Sequence, residues 1–266
     1  MAIVIKKLSV KTAAPTRRIL LYGDSGAGKT HLIGTAQDTA GMKDVLVGDI
    51  DGGSATLIKR GDIDHAGTRT TQGVEEMLWL LAQRKPEVAN IGTLVLDGAS
   101  ELQKRDLADI AAKASKTGSR DQDLNELQDY KLNKSRLLRI FRMAKDIEGI
   151  NLIITGWAKK GFPKIPGTKQ SNKDAPPSII APDFTDGVME ALRGYVDDVW
   201  YIYYDREAGV RRLVTSEYGP VVAKTRGADF AAKLGQTTKD GFVPVMDDPS
   251  FPKIWGLYDE AMGVKR

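Results

Sequence analysis

Eight consecutive residues, Gly23-Asp24-Ser25-Gly26-Ala27-Gly28-Lys29-Thr30, match G-x-x-x-x-G-K-[ST] at every fixed position. Each fixed type has a chemical reason. Gly23, Gly26 and Gly28 let the backbone wrap phosphate oxygens and turn N–H groups inward, in conformations a Cβ would hinder. Lys29 reaches the β- and γ-phosphates as a mobile point charge, and the Thr30 hydroxyl suits Mg²⁺. The next helix starts near Lys29 and turns its N-terminus to the anion, with His31 in its first turn. Residues 23–31 are therefore the expected nucleotide-binding set. No guanine-reading motif is present, so the expected ligand is ATP with Mg²⁺.

Carboxylates complete this chemistry. Residues 93–97, Thr-Leu-Val-Leu-Asp, form an apolar run ending in an acid, the Walker B pattern, which assigns Asp97 with Thr30 to the metal. Hydrolysis also needs a group that orients the attacking water. Asp51 is the favoured base, with Asp49 and Glu101 as alternatives, because strand ends converge on the nucleotide edge of a doubly wound sheet.

These residues need elements to position them. Residues 17–22 and 45–49 read as buried parallel strands, with a third over 93–96 and a fourth over 151–155. Val74, Met77, Leu78 and Leu81 recur at helical spacing, which predicts an amphipathic helix over 73–84. Further helices are predicted over 101–112 and 124–147, separated by a polar break. Residues 159–182 contain five prolines and five lysines with almost no periodicity, the pattern of a long functional loop. Residues 198–204, 211–215 and 220–224 read as C-terminal strands with hairpin turns, and residues 3–10 as a strand or arm. Strands alternating with helices imply an α/β fold with a mainly parallel sheet covered on both faces.

The 266 residues, 41% hydrophobic, suffice for a full core. Cysteine is absent, which excludes disulfides and thiolate metal sites, and the two histidines lack metal-ligand spacing. The start shows no signal peptide and no apolar run approaches the ~18 residues of a membrane span, so a soluble cytoplasmic protein is expected. The net charge of +4 matters only where basic residues cluster on loops.

The order of parts resembles the RecA-type recombinase core, and more narrowly the phage-encoded P-loop proteins with a RecA-like core that act in single-strand annealing. The resemblance spans residues 17 to about 230. It implies a RecA-like ATPase core over 17–235, a possible oligomerisation arm over 1–16 and a tail over 236–266 packed on the core. It further implies two loops that bind single-stranded DNA, matched here by Lys113, Lys116 and Arg120, and by Lys159, Lys160, Phe162, Lys164, Lys169 and Lys173. Lysines can follow a phosphate backbone and an aromatic can stack on a base. The family also sends a basic pair to a neighbour's γ-phosphate, matched by Lys224 and Arg226, which places ATP between protomers of a ring or filament. On this resemblance the chain is a slow or DNA-stimulated ATPase in a bacterial host cell, encoded by a phage or prophage. Its partners would be single-stranded DNA, copies of itself, and phage or host single-strand-binding or replication proteins. In one respect it departs from the family: Gly156-Trp157 stands where the family has a polar sensor, and an indole cannot accept a hydrogen bond. A helicase-loader-like ATPase driven by a protein partner is the alternative. A small-molecule kinase fits less well, because the loop supplies few arginines.

Overall fold

Successive residues of a strand point to opposite faces of its sheet, and this chain uses both faces. Leu20 and Tyr22 enter one hydrophobic core, while Ile19 and Leu21 enter the other. The same split separates Leu94 and Leu96 from Val95, and Leu152 and Ile154 from Ile153. A strand apolar at every position can be satisfied only if both faces are covered.

The computed structural model describes residues 16–116, 125–165, 168 and 170–264. Its elements, in chain order, begin β1 (Arg18–Tyr22), α1 (Lys29–Gly34), β2 (Val45–Asp49), β3 (Asp64–Gly67), α2 (Thr71–Ala82), β4 (Thr93–Asp97) and α3 (Ala99–Lys116). There follow α4 (Leu127–Asp146), β5 (Asn151–Gly156), β6 (Ala158–Gly161), β7 (Ile179–Pro182), α5 (Asp186–Tyr195), β8 (Asp198–Asp205) and β9 (Val210–Val214). The chain closes with α6 (Ala228–Ala231), β10 (Gln236–Thr238), β11 (Gly241–Val243), β12 (Val245–Asp247) and α7 (Phe251–Met262).

The central sheet has the order β12-β9-β8-β1-β5-β4-β2-β3. Pairing is parallel from β8 through β3, and β9 and β12 add antiparallel at the other edge. This is the α/β fold expected, with C-terminal antiparallel strands. Helices α2 to α5 cover one face and α1, α6 and α7 the other. No helix among the described residues is long and apolar enough to cross a membrane.

Several local readings need correction. Residues 159–182 are not a bare loop: β6 and β7 pair antiparallel, with Ala158 opposite Pro182, so the segment has a two-stranded stem. The Tyr22 hydroxyl, donating to the Ile180 carbonyl at 3.0 Å, ties that stem to the sheet. Residues 220–224 make only isolated bridges, Val221 with Ile180 and Tyr218 and Lys224 with Val199, because β9 takes that edge of β8 from Tyr201 onward. Helix α3 runs on to Lys116, so Lys113 and Lys116 sit on its last turn rather than in a loop. Residues 1–15 of the proposed arm over 1–16, Arg120 and Lys169 lie outside the described residues.

One buried ion pair joins the start of the P-loop strand to the C-terminal part of the chain. Arg17 Nε and Nη2 donate to Asp198 at 2.7 and 2.6 Å, and the guanidinium lies 4.8 Å from both the Phe230 and Tyr258 rings. Removing one partner strands a charge in the interior. Arg17→Met is therefore expected to cost about 3–5 kcal/mol in urea unfolding, and adding Asp198→Leu should recover most of the loss.

Candidate functional site

The phosphate loop leaves β1 at Gly23 and returns into α1 at Lys29. Its glycines are required by space and by backbone angle. A Cβ on Gly23 would lie 2.2 Å from the Ile202 carbonyl oxygen, and Gly28 has φ +102°. Ala27 N donates to the Asp24 carbonyl at 3.2 Å and Leu32 N to that of Gly28 at 2.9 Å, which shapes the turn. Lys29 Nζ donates to the Gly23 and Asp24 carbonyls at 2.9 and 3.1 Å. Burial pushes the Lys29 ammonium below its ordinary value, while Asp97, Asp51 and Asp24 pull the other way. Because α1 is short, the loop's own amides are the main donors available to a phosphate.

Asp97 ends β4 and is buried. Its Oδ2 accepts from the Thr30 hydroxyl at 3.2 Å, and its Oδ1 accepts from the Thr155 hydroxyl at 2.6 Å. Thr155 in turn accepts from Gly98 N at 2.8 Å. Burial raises the Asp97 carboxyl above its ordinary value and nearby Asp51 adds to this, against the two hydroxyls. Thr30 and Asp97 form an oxygen-only donor set, which suits a hard cation such as Mg²⁺ that keeps water and phosphate oxygens as its other ligands. Among the described residues, no cluster of three or more His, Cys, Asp or Glu forms a separate metal cage.

The candidate bases separate by what already occupies them. Asp49 accepts from Gly52, Gly53 and Ser54 amides at 2.8, 3.1 and 3.3 Å, and its Oδ2 lies 3.4 Å from His65 Nε2. Burial opposes its charge, but these bonds outweigh that, so its carboxyl sits below the ordinary value. Glu101 pairs with Arg105 at 2.7 Å. Asp51 lines the cleft and packs on Gly98, where a Cβ would come 2.9 Å from Asp51 Cβ. Ser25, Gly26, Gly28, Lys29, Thr30, His31, Asp51 and Asp97 thus share one cleft of about 320 Å³.

Arg211 and Thr56 line the cleft without having been singled out in the sequence, and Trp157, noted there at the sensor position, joins them. Arg211 on β9 lines the cleft against Gly28, and Trp157 lines it at the end of β5. Thr155 acts one step behind, through Asp97. In sequence, Arg211 is one of an Arg-Arg pair on a strand, and only the tertiary fold shows which of the two faces the phosphate loop.

Trp157 also begins the β6–β7 stem. Its backbone N–H donates to the Ser100 hydroxyl at 3.0 Å, and Lys104 Nζ lies 4.1 Å from its ring centroid. Lys160 on β6 pairs with Asp24 of the phosphate loop at 2.7 Å. Lys159, Lys164 and Lys173 are exposed on the same segment, and Phe162 is half-buried. Lys224 and Arg226 are not brought to this cleft. Lys224 Nζ donates to the Arg193 and Val196 carbonyls, and Arg226 pairs with Asp197 at 2.7 Å, beyond the start of β8 and far from the loop.

A protein family described as an AAA domain matches residues 16–227. No curated protein matches the chain significantly. Among solved structures, a KaiC-like protein from the archaeon Pyrococcus horikoshii is 15% identical with a TM-score of 0.41, covering 76% of this chain and 79% of that one. The RadB recombinase is 14% identical with a TM-score of 0.41, covering 79% and 91%.

The Thr155 hydroxyl holds Asp97 and Gly98 together in a buried setting. Thr155→Val leaves a buried carboxylate oxygen and an amide short of a partner, so a loss of about 1–3 kcal/mol is expected in urea unfolding. Mg²⁺-dependent nucleotide affinity should fall as well, measurable by titration with and without the metal.

Proposed function

The chain belongs to the AAA-domain family, and from that premise we propose that it is an ATPase whose turnover responds to single-stranded DNA. The loop amides and Lys29 bind the phosphates. Thr30 and Asp97 hold Mg²⁺, which when bound neutralises charge on the phosphate oxygens. Asp51, the carboxylate in the cleft with the fewest other duties, orients the attacking water and accepts its proton at a carboxylate oxygen. In-line attack on the γ-phosphorus then releases ADP and phosphate.

One observation carries the DNA part: the lysine-bearing β6–β7 stem leaves the nucleotide edge directly after Trp157, and its Lys160 pairs with Asp24 of the phosphate loop. Lys159, Lys160, Lys164 and Lys173 provide cations for a phosphate backbone, and Phe162 a face for a base. A DNA phosphate competing for Lys160 would free Asp24, which gives the strand a physical route to the nucleotide. The task that suits such a protein is strand annealing or recombination of the phage-encoded type, with an assembly of several copies. For Lys224 and Arg226 to serve a neighbour's γ-phosphate, their present bonds to Arg193, Val196 and Asp197 would have to be exchanged on assembly.

Steady-state ATP hydrolysis, with and without an unstructured single-stranded oligonucleotide, tests this reading. Stimulation by the strand is expected, with none in Lys29→Ala, which should also lose nucleotide binding. Turnover indifferent to DNA would replace this reading with a partner-driven ATPase or a kinase. Replacing Lys159, Lys164 and Lys173 with alanine should flatten the dependence of log affinity for DNA on log salt by about 0.7 per lost phosphate contact. An unchanged slope would mean that the segment does not touch the strand.

A further inference from the structure

The cleft contains a cation that the phosphate-loop motif does not account for. Arg211 lies on β9, next to Arg212, and strand alternation sends the two to opposite faces. Arg212 is paired, with Asp205 and Asp247 as its carboxylates. The Arg211 Nε is buried and has no hydrogen-bond partner among the described residues, and the side chain lines the same cleft as Lys29 and Thr30. Buried donors are almost always satisfied, so an orphan at the wall of a binding cleft points to an acceptor that arrives with the ligand.

The position of Arg211 is built in. Its backbone N–H donates to Asp248 Oδ1 at 3.3 Å and its carbonyl accepts from Asp248 N at 2.7 Å, so the residue is fixed at both main-chain groups. Its side chain occupies the space that a Cβ on Gly28 would need, 2.4 Å from Nε and 2.6 Å from Cδ. Gly28 thus lets the phosphate loop pass and also admits the arginine.

Geometry also indicates which end of the nucleotide Arg211 meets. Asp97 ends β4 and Asp51 follows β2, both on one side of β1 in the sheet, whereas β9 lies on the other. The acidic side takes the metal and the attacked γ-phosphate. The loop amides around Gly28 cradle the α- and β-phosphates, and a guanidinium matches phosphate oxygens with its planar fork of donors. We propose that Arg211 is a nucleotide-binding residue, donating from its own chain to the α/β-diphosphate of the nucleotide in the phosphate loop. This rests on the reading of the cleft as a nucleotide site.

The test is equilibrium binding of ADP and ATP to the wild type, Arg211→Ala, Arg211→Lys and Lys29→Ala, with inorganic pyrophosphate as competitor and thermal melts to confirm folding. Arg211→Ala should weaken ADP and ATP by a similar factor of about ten or more, the size of a charge-assisted hydrogen bond. Arg211→Lys should recover part of this, since it keeps the charge and loses the fork. Pyrophosphate, which has neither base nor ribose, should lose the same factor. Unchanged affinity in a folded Arg211→Ala, with binding lost in Lys29→Ala, overturns this inference and leaves the nucleotide site standing. A loss for ATP alone overturns it by moving Arg211 to the γ-phosphate, and a loss for ADP without one for pyrophosphate moves it to the base or ribose. If the wild type binds neither nucleotide, the reading of the site falls and the inference with it. Should Arg211→Ala fail to fold, Arg211→Lys and Arg211→Gln carry the same comparison.

Discussion

The site depends on holding one carboxylate, Asp97, buried and in contact with a hydroxyl that belongs to another element. Asp97 ends β4, yet β5 lies between β4 and the P-loop strand β1. The gap is bridged from both sides: Thr30 at the start of α1 reaches Asp97 Oδ2, and Thr155 on β5 reaches Oδ1. This works only if three parallel strands are in register. Leu21 pairs with Thr155 and Leu96 with Ile154, so the threonine falls between the loop and the acid. A slip of one residue in β5 would turn Thr155 to the opposite face and bring an isoleucine or a glycine to its place. The alternating apolar residues that enter the two cores forbid such a slip, so packing far from the cleft fixes the chemistry within it.

The neighbouring loop divides its acids in the same way. Asp49 is spent on the amides of Gly52, Gly53 and Ser54 and so folds the loop back over the site. Asp51, two residues on, is left facing the cleft. Close approach makes this possible: Gly98 has φ +101° and no Cβ, and Asp51 packs into the space. Two acids that look interchangeable in sequence therefore differ in setting: Asp49 accepts three backbone amides, whereas Asp51 accepts one, from Gly53 N at 3.0 Å.

Much of this was legible in the sequence. The phosphate loop is fixed in residue type by its own backbone, and β1, β2, β4 and β5 announce themselves as short apolar runs. What was not legible depends on partners distant in sequence. The four residues of β3, Asp-His-Ala-Gly, contain no β-branched side chain and form a strand because β2 offers an unpaired edge. The β6–β7 stem is built from residues with little periodicity and is held by Tyr22 and the sheet. Helix α5 carries Gly187 and Gly194, poor helix formers, and is retained by burying Val188 and Leu192 against the core. Helix α7 has a clear start in Ser250, which caps Lys253 N, with Pro252 in its first turn, but its place on the sheet is set by Phe251 and Trp255 in the second core. Arg211 was hidden for the same reason: its role comes from the Gly28 surface it meets.

Ion-pair strength separates what can move from what cannot. Arg17 and Asp198 are almost wholly buried, at 8% and 0% side-chain exposure, so parting them leaves a charge in the interior and the pair acts as a fixed joint. Lys160 and Asp24 are 39% and 49% exposed. A pair that open is screened by water and contributes about 0–1 kcal/mol, no more than a competing phosphate can offset. The first pair lies at the start of β1 and the second just past its end, so the strand is anchored at one end and exchangeable at the other. A ligand on the β6–β7 stem would meet its least resistance at the link that touches the phosphate loop, while the sheet beneath stays fixed.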